Sequence, residues 1–234
     1  METVFITGAN RGIGLALTRE FLASGYRVIA SCRTPNAATA LHELEAAHQG
    51  GLHLVELDVV EPESLANLVP TMEQICDCID VLVNNAGILL PSDGFRQISA
   101  ANLRQSFEVN SIAPLMVWQT LLPLLKKASR PRIVNITMPT RALSLLQNRT
   151  TNHHYIASRY ALNALVKMAA DELAEEGLIT IALYPGYVQT DMNGYDAKAE
   201  TADTAVPKLV PLIANLTAAQ NGLCLLPDGS SFDW

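Results

Sequence analysis

No apolar run in this chain approaches the roughly 20 residues that a membrane span needs. The first apolar stretch, Thr3 to Ile6, is far too short for a secretory leader and runs straight into a glycine turn. Charge is scarce, at 17% of residues, and its balance is acidic, with a net −7 at pH 7. That balance speaks against non-specific nucleic-acid binding. There are four cysteines, Cys32, Cys76, Cys78 and Cys224. Cys76 and Cys78 lie too close for a C-x-x-C zinc or redox pair, so reduced core thiols in a cytoplasmic protein, and no metal, are expected. Linkers, low-complexity tracts and short repeats are missing too, which leaves residues 1–234 as one domain.

What is present is an apolar content of 49%, enough for a packed core rather than disorder. Strand-like and helix-like segments alternate nearly throughout. That pattern predicts an α/β fold, a parallel sheet covered on both faces. Strands are expected at Thr3–Ile6, Tyr26–Ser31, Leu52–Leu57, Ile79–Val83, Arg132–Thr137, Leu178–Leu183 and Gly222–Leu226. One long helix is expected from about Asn102 to Lys127, bent at Pro114, and another from Tyr155 to Glu176.

The chain is organised around Thr7-Gly8-Ala9-Asn10-Arg11-Gly12-Ile13-Gly14. An apolar strand precedes it and an amphipathic helix follows. Glycines there permit a sharp turn, close approach of a ligand and close packing of helix on strand. The helix start offers free N–H groups to an anion, and a dinucleotide pyrophosphate is the expected guest. Polar residues recur at other predicted strand ends, where open parallel sheets bind ligands. Arg33 ends the second strand, where a common NAD site carries an acid. Arg33 and Arg11 together suit a 2′-phosphate and point to NADP(H); two solvated surface arginines are the alternative. Asp58, with Val59 beside it, either accepts from adenine or caps the next helix. Asn84-Asn85-Ala86-Gly87 either brings backbone close to a ligand or forms an ordinary turn.

Thr7–Gly14, Asn84–Gly87, Asn110 in Phe107-Glu108-Val109-Asn110, Tyr155 with a basic residue four positions on, and Pro185-Gly186-Tyr187-Val188-Gln189-Thr190-Asp191 occur in one order along the chain. This series resembles the short-chain dehydrogenase/reductase family. Thr190–Gly194 and the tail from Asp228 to Trp234 are similar to its branch of C-factor and sniffer-type carbonyl reductases. The resemblance implies a seven-stranded Rossmann fold and a homodimer or homotetramer built on the long helices. It assigns the dinucleotide to Gly8, Asn10, Arg11, Gly12, Ile13, Gly14, Arg33, Asp58, Val59, Asn84, Ala86, Gly87, Pro185, Gly186, Val188 and Thr190, with Tyr155 and Arg159 also touching it.

The family's active site is Asn, Ser, Tyr and Lys. Here the resemblance makes Asn110 and Tyr155 catalytic, but puts Arg159 at the lysine position and Met138 at about the serine position. A free tyrosine titrates near 10, so it needs a cation to act near neutrality. Arginine supplies the charge but does not readily relay a proton. Methionine donates no hydrogen bond. Thr140, Ser144, His153 or His154 could replace the lost donor, the histidines being otherwise exposed loop residues. Met138, Thr140, His154, Tyr187 and Met192 are the candidate contacts to a small-molecule substrate. Arg141 and Arg149 could greet an acidic group or merely solubilise the loop. The expected activity is reduction of a carbonyl, enone or imine by NADPH. The alternatives are a non-redox isomerase, cyclase or dehydratase, or a protein that binds NADP(H) without turnover.

Overall fold

Every residue of β1 (Thr3–Thr7) is buried, and its alternation divides the interior in two. Val4 and Ile6 face one apolar cluster, and Phe5 faces the other. The computed structural model describes residues 1–92, 94–140, 143 and 151–233. Arg141, Ser144 and Arg149, named above as candidates, lie outside the described residues, as does Trp234.

The chain continues as α1 (Gly12–Ala23), β2 (Arg27–Cys32), α2 (Thr39–Ala47), β3 (Leu52–Glu56), α3 (Pro62–Ala66), α4 (Leu68–Met72) and β4 (Val81–Asn84). Then follow α5 (Ala100–Phe107), α6 (Ala113–Leu125), β5 (Arg132–Ile136), α7 (His153–Glu175), β6 (Ile179–Leu183), α8 (Ala202–Ala214), β7 (Cys224–Leu225) and β8 (Ser231–Phe232). Strand order is β3-β2-β1-β4-β5-β6-β7-β8. Neighbours from β3 to β7 are parallel, and β8 returns antiparallel to β7. The described sheet thus has eight strands where seven were expected. The extra one arises because Gly229, at φ +83°, turns the tail back on itself.

The order reverses between β1 and β4, which opens a crevice at their carboxyl ends. Helices α1 and α8 cover one face with Leu17, Phe21, Val206, Leu209 and Ile213. Helices α4, α6 and α7 cover the other with Met72, Trp118, Leu121, Leu162 and Val166. Arg132 is fully buried at the start of β5. It bonds the Glu2 carboxylate at 2.6 Å and the Ala214 carbonyl at 3.0 Å, tying the first strand to the end of α8.

The expected helix near Asn102–Lys127 is one continuous helical stretch in two α-helical segments, α5 and α6. Ser99 caps α5 by accepting from the Asn102 N–H at 3.3 Å. A π-helical turn, Glu108–Ile112, then joins α5 to α6. Pro114 cannot donate to the Asn110 carbonyl, so the helical register changes before the proline rather than at it. Helix α7 starts at His153, after Asn152 at φ +59°, and this places Tyr155 in its first turn. No helix among the described residues is long and apolar enough to cross a membrane. All four cysteines are free. Burial pushes Cys76 and Cys224 up to about 11, which leaves them protonated and inert.

Candidate active site

A cavity of about 1450 Å³ runs along the carboxyl edge of the sheet. Its wall includes the Gly8–Ile13 loop, Arg33, Asp58–Val60, Asn85–Leu90, Thr137, Met138, Tyr155, Arg159, Tyr184 and Pro185–Val188. Three features make one end fit a phosphorylated anion. Helix α1 has no side-chain cap and no acid in its first turn, so its leading N–H groups and positive end are uncompensated by side chains. Gly8 and Gly12 take φ of +64° and +54°, which bends the loop around that end. Arg11 and Arg33 both line the same cavity. Arg11 is ion-paired with Asp191, across the space between the glycine loop and the segment after β6.

Glycine is required where elements meet behind this loop. A Cβ on Gly14 would lie 2.3 Å from the Gly8 carbonyl oxygen and 2.5 Å from Asn85 Nδ2. Asn85 in turn donates from Nδ2 to the Thr7 and Gly8 carbonyls, each at 3.0 Å. The Thr7 hydroxyl accepts from the backbone N–H groups of Asn85 and Ala86. The motif at the end of β1 and the motif at the end of β4 are therefore one hydrogen-bonded unit.

At the other end, the Arg159 guanidinium lies over the Tyr155 ring, 5.2 Å from its centroid. Arg159 is buried, and Nη1 donates to the Ile136 carbonyl at 3.2 Å. Gly87 gives this head its room, since a Cβ there would come within 2.4 Å of Nη2. A cation is thus fixed on the phenol by β5, by the β4 loop and by its place four residues along α7.

Several expected contacts lie off the cavity wall or are bonded within the protein. Asn84 does not reach the cavity: its amide is buried and donates to Asn135 at 3.1 Å, so Asn85 takes the wall position. Gly14 also lies off the wall and serves packing. Asn110 is fully buried. It accepts from the Ile88 N–H at 2.8 Å and donates to the Ile88 carbonyl at 2.9 Å and to Ser158 Oγ at 3.0 Å. These bonds position the loop after β4 and use both amide N–H groups. His154 is fully buried rather than in an exposed loop, and its Nε2 accepts from the Ser99 N–H at 3.1 Å. His153 is bound to Ser92. Thr140 is turned inward, where it accepts from Asn163 at 2.9 Å. Asp58 does line the cavity. It does not cap α3, whose N-cap is Glu61; its carboxylate accepts from the Val60 N–H at 3.2 Å.

Three residues were not anticipated from the sequence. Asn163, one turn beyond Arg159, accepts from the Thr137 hydroxyl at 2.8 Å and donates to the Met138 carbonyl and to Thr140. It clamps the segment that carries Met138. Tyr184, just past β6, lines the cavity, and burial, with the nearby Tyr155 adding to it, holds its phenol above the usual tyrosine value. Ser158 bridges Asn110 to the Tyr155 carbonyl. Only periodicity on α7 could have flagged Asn163 and Ser158; Tyr184 falls between the expected strand Leu178–Leu183 and the Pro185-Gly186 turn.

Beyond the cavity mouth, the Tyr187 hydroxyl donates to the Asp196 carboxylate at 2.7 Å. That bond raises the Tyr187 phenol. Asp196 is lowered first by the Lys198 N–H and then by Tyr187. No group of three or more metal-ligating side chains occurs among the described residues.

The sequence profile of the short chain dehydrogenases matches residues 2–201. The short chain dehydrogenase gsfK of Penicillium aethiopicum is 30% identical over 253 residues, covering 99% of this chain and 99% of that protein. Among solved structures, the carbonyl reductase Sniffer of D. melanogaster superposes with a TM-score of 0.93 at 29% identity, each chain covered in full. The NADPH-bound carbonyl reductase from chicken fatty liver gives a TM-score of 0.91 at 31% identity, covering 100% of this chain and 99% of that one. On the matched profile, the two aligned folds and the joined glycine and Asn-Ala-Gly motifs, the chain belongs to the short chain dehydrogenase family.

Proposed function

We propose that this protein is an NADP(H)-dependent reductase that acts on the carbonyl, enone or imine of a small organic substrate. The observation that carries the reading is that Tyr155, with Arg159 on its ring, shares one cavity with the uncapped start of α1. Two aligned structures, from chicken and from Burkholderia multivorans, hold NADPH or NADP, which supports the choice of cofactor.

In this reading the Gly8–Ile13 loop and the first turn of α1 hold the pyrophosphate. Arg11 and Arg33 take the 2′-phosphate. Asp58 and Val59 flank the adenine, and Ala86, Gly87, Pro185, Gly186, Val188 and Thr190 line the path to the nicotinamide. When bound, NADPH supplies the hydride. Tyr155 donates its proton to the substrate oxygen or nitrogen. Arg159 stays charged throughout and stabilises the negative charge left on the phenol. Met138, Tyr187 and Met192 face the substrate as apolar or aromatic wall. The assembly is a homodimer or homotetramer, and the exposed Ile112, in the π turn before α6, and Met168 on α7 support a covered helical face.

The test is loss of NADPH absorbance with a panel of ketones, enones and imines. Turnover that disappears in Tyr155→Phe, with NADPH still bound, is the expected result. Product formed with no change in NADPH would favour a non-redox reaction instead. NADPH binding with no reaction on any candidate would leave a binding protein.

A further inference from the structure

A reductase of this kind has to stabilise the oxygen on which negative charge develops. Tyr155 supplies one donor, and a second is customary in such sites. The side chain at the expected place, Met138, has none to give. Among the described residues, three hydroxyls around it are committed. Thr137 donates to Asn163, Thr140 faces Asn163 away from the cavity, and Tyr187 donates to Asp196.

Tyr184 is different. Strands β5 and β6 are parallel, with Ile136 opposite Leu183. Thr137 and Tyr184 are therefore the next residues on each strand, side by side at the sheet's carboxyl edge. Leu183 belongs to the cluster under α1 and α8, whereas Ala182 belongs to the cluster under α7. Alternation puts Tyr184 on the α7 face, the face that carries Tyr155 and Arg159. Both phenols line the same cavity. The Tyr184 hydroxyl bonds no group among the described residues.

We propose that Tyr184 is a further catalytic residue: its hydroxyl donates the second hydrogen bond to the reacting oxygen, in place of the donor that Met138 lacks. The assignment rests on the reductase reading above. In the step, the carbonyl π bond opens as carbon receives hydride, and Tyr155 passes its proton to the oxygen. Tyr184 bonds that oxygen throughout and keeps its own proton. Burial and the neighbouring phenol hold Tyr184 above the ordinary tyrosine value, so it remains a donor across the neutral range.

The experiment measures kcat for a ketone and the dissociation constant of NADPH, in wild type, Tyr184→Phe, Met138→Ser and the double variant. Tyr184→Phe is expected to lower kcat by about 10²-fold, the size of effect seen when one oxyanion donor is removed, and to leave NADPH affinity unchanged. In the Met138→Ser background the serine hydroxyl supplies the donor, so the loss on Tyr184→Phe becomes much smaller, a non-additive pair. An active wild type whose kcat survives Tyr184→Phe overturns the assignment alone. So does a loss of equal size in both backgrounds. A wild type that reduces no substrate overturns the reductase reading, and this assignment with it.

Discussion

The Arg159 guanidinium sits 5.2 Å from the centroid of the Tyr155 ring, with Gly87 behind it and the Ile136 carbonyl beside it. Glycine at position 87 is therefore part of the device. Gly87→Ala would push a methyl to within 2.4 Å of Nη2. The expected outcome is a fall in kcat of about tenfold or more as the cation shifts off the phenol, since angstrom-scale misplacement at a reacting centre costs up to roughly 10²-fold. Steady-state kinetics of the variant, with a circular dichroism check of folding, read this. Unaltered kcat would count against a role for the stacked cation.

Gly14→Ala tests the packing behind the loop. Its methyl meets the Gly8 carbonyl oxygen at 2.3 Å and Asn85 Nδ2 at 2.5 Å, so backbone must yield. Overpacking of this kind costs about 1–3 kcal/mol. Thermal unfolding should shift down, and NADPH binding should weaken because the α1 start and the Asn85 unit are displaced together.

Much of this site was legible because its residues obey local rules. The Thr7–Gly14 turn announces itself by glycines between a buried strand and a helix, and Tyr155 with Arg159 by the spacing of one helical turn. What stayed hidden depends on orientation. Asn110 is turned onto Ile88 by a π-helical turn that no simple periodicity encodes. His154 is buried because α7 begins two residues before Tyr155 and packs against Ser99. Asn84 and Asn85 are adjacent amides, and only strand register decides that the first meets Asn135 and the second meets the glycine loop. The tail strand β8 has two residues, too few for an alternation to be read.

The Arg11–Asp191 pair competes with the phosphate assigned to Arg11. Both side chains reach solvent, at 64% and 37%, so the pair is worth at most about 1 kcal/mol. Asp191→Asn is therefore expected to tighten NADPH binding by up to about fivefold and to leave NADH binding unchanged. Arg11→Ala and Arg33→Ala should each weaken NADPH and spare NADH. Calorimetric titration with both cofactors checks this, and equal effects on the two would remove Arg11 from the 2′-phosphate site.

Asn163 makes three bonds to the Thr137–Thr140 segment. Asn163→Ala leaves two buried hydroxyls, Thr137 and Thr140, and the Met138 carbonyl without their partner, at a cost of about 1–3 kcal/mol for each unsatisfied group. The expected kinetic signature is a raised KM for substrate with unchanged NADPH affinity, because the clamp holds the Met138 wall and not the glycine loop.

The Tyr187–Asp196 bond sets a pH window for the segment beyond the cavity mouth. The Asp196 carboxyl is depressed below 3.8, so its contribution is present above that value and is lost as pH falls through the lowered one. The Tyr187 phenol is raised above 10.0, so its contribution is present below that value and is lost as pH rises through the raised one. Amide protection factors at residues 187–196, corrected for the intrinsic pH dependence of exchange, should be level between these limits and fall beyond either. Tyr187→Phe should abolish the alkaline limb and leave a weaker acid limb from the Lys198 N–H bond.

The most direct test of the central claim follows the hydride. Protein, NADPH deuterated at both positions of nicotinamide C4, and a ketone substrate are incubated, and the alcohol is weighed by mass spectrometry. The account predicts alcohol carrying one deuterium from the wild type and no product above background from Tyr155→Phe. Unlabelled product, or labelled product formed equally well without the Tyr155 hydroxyl, would contradict it.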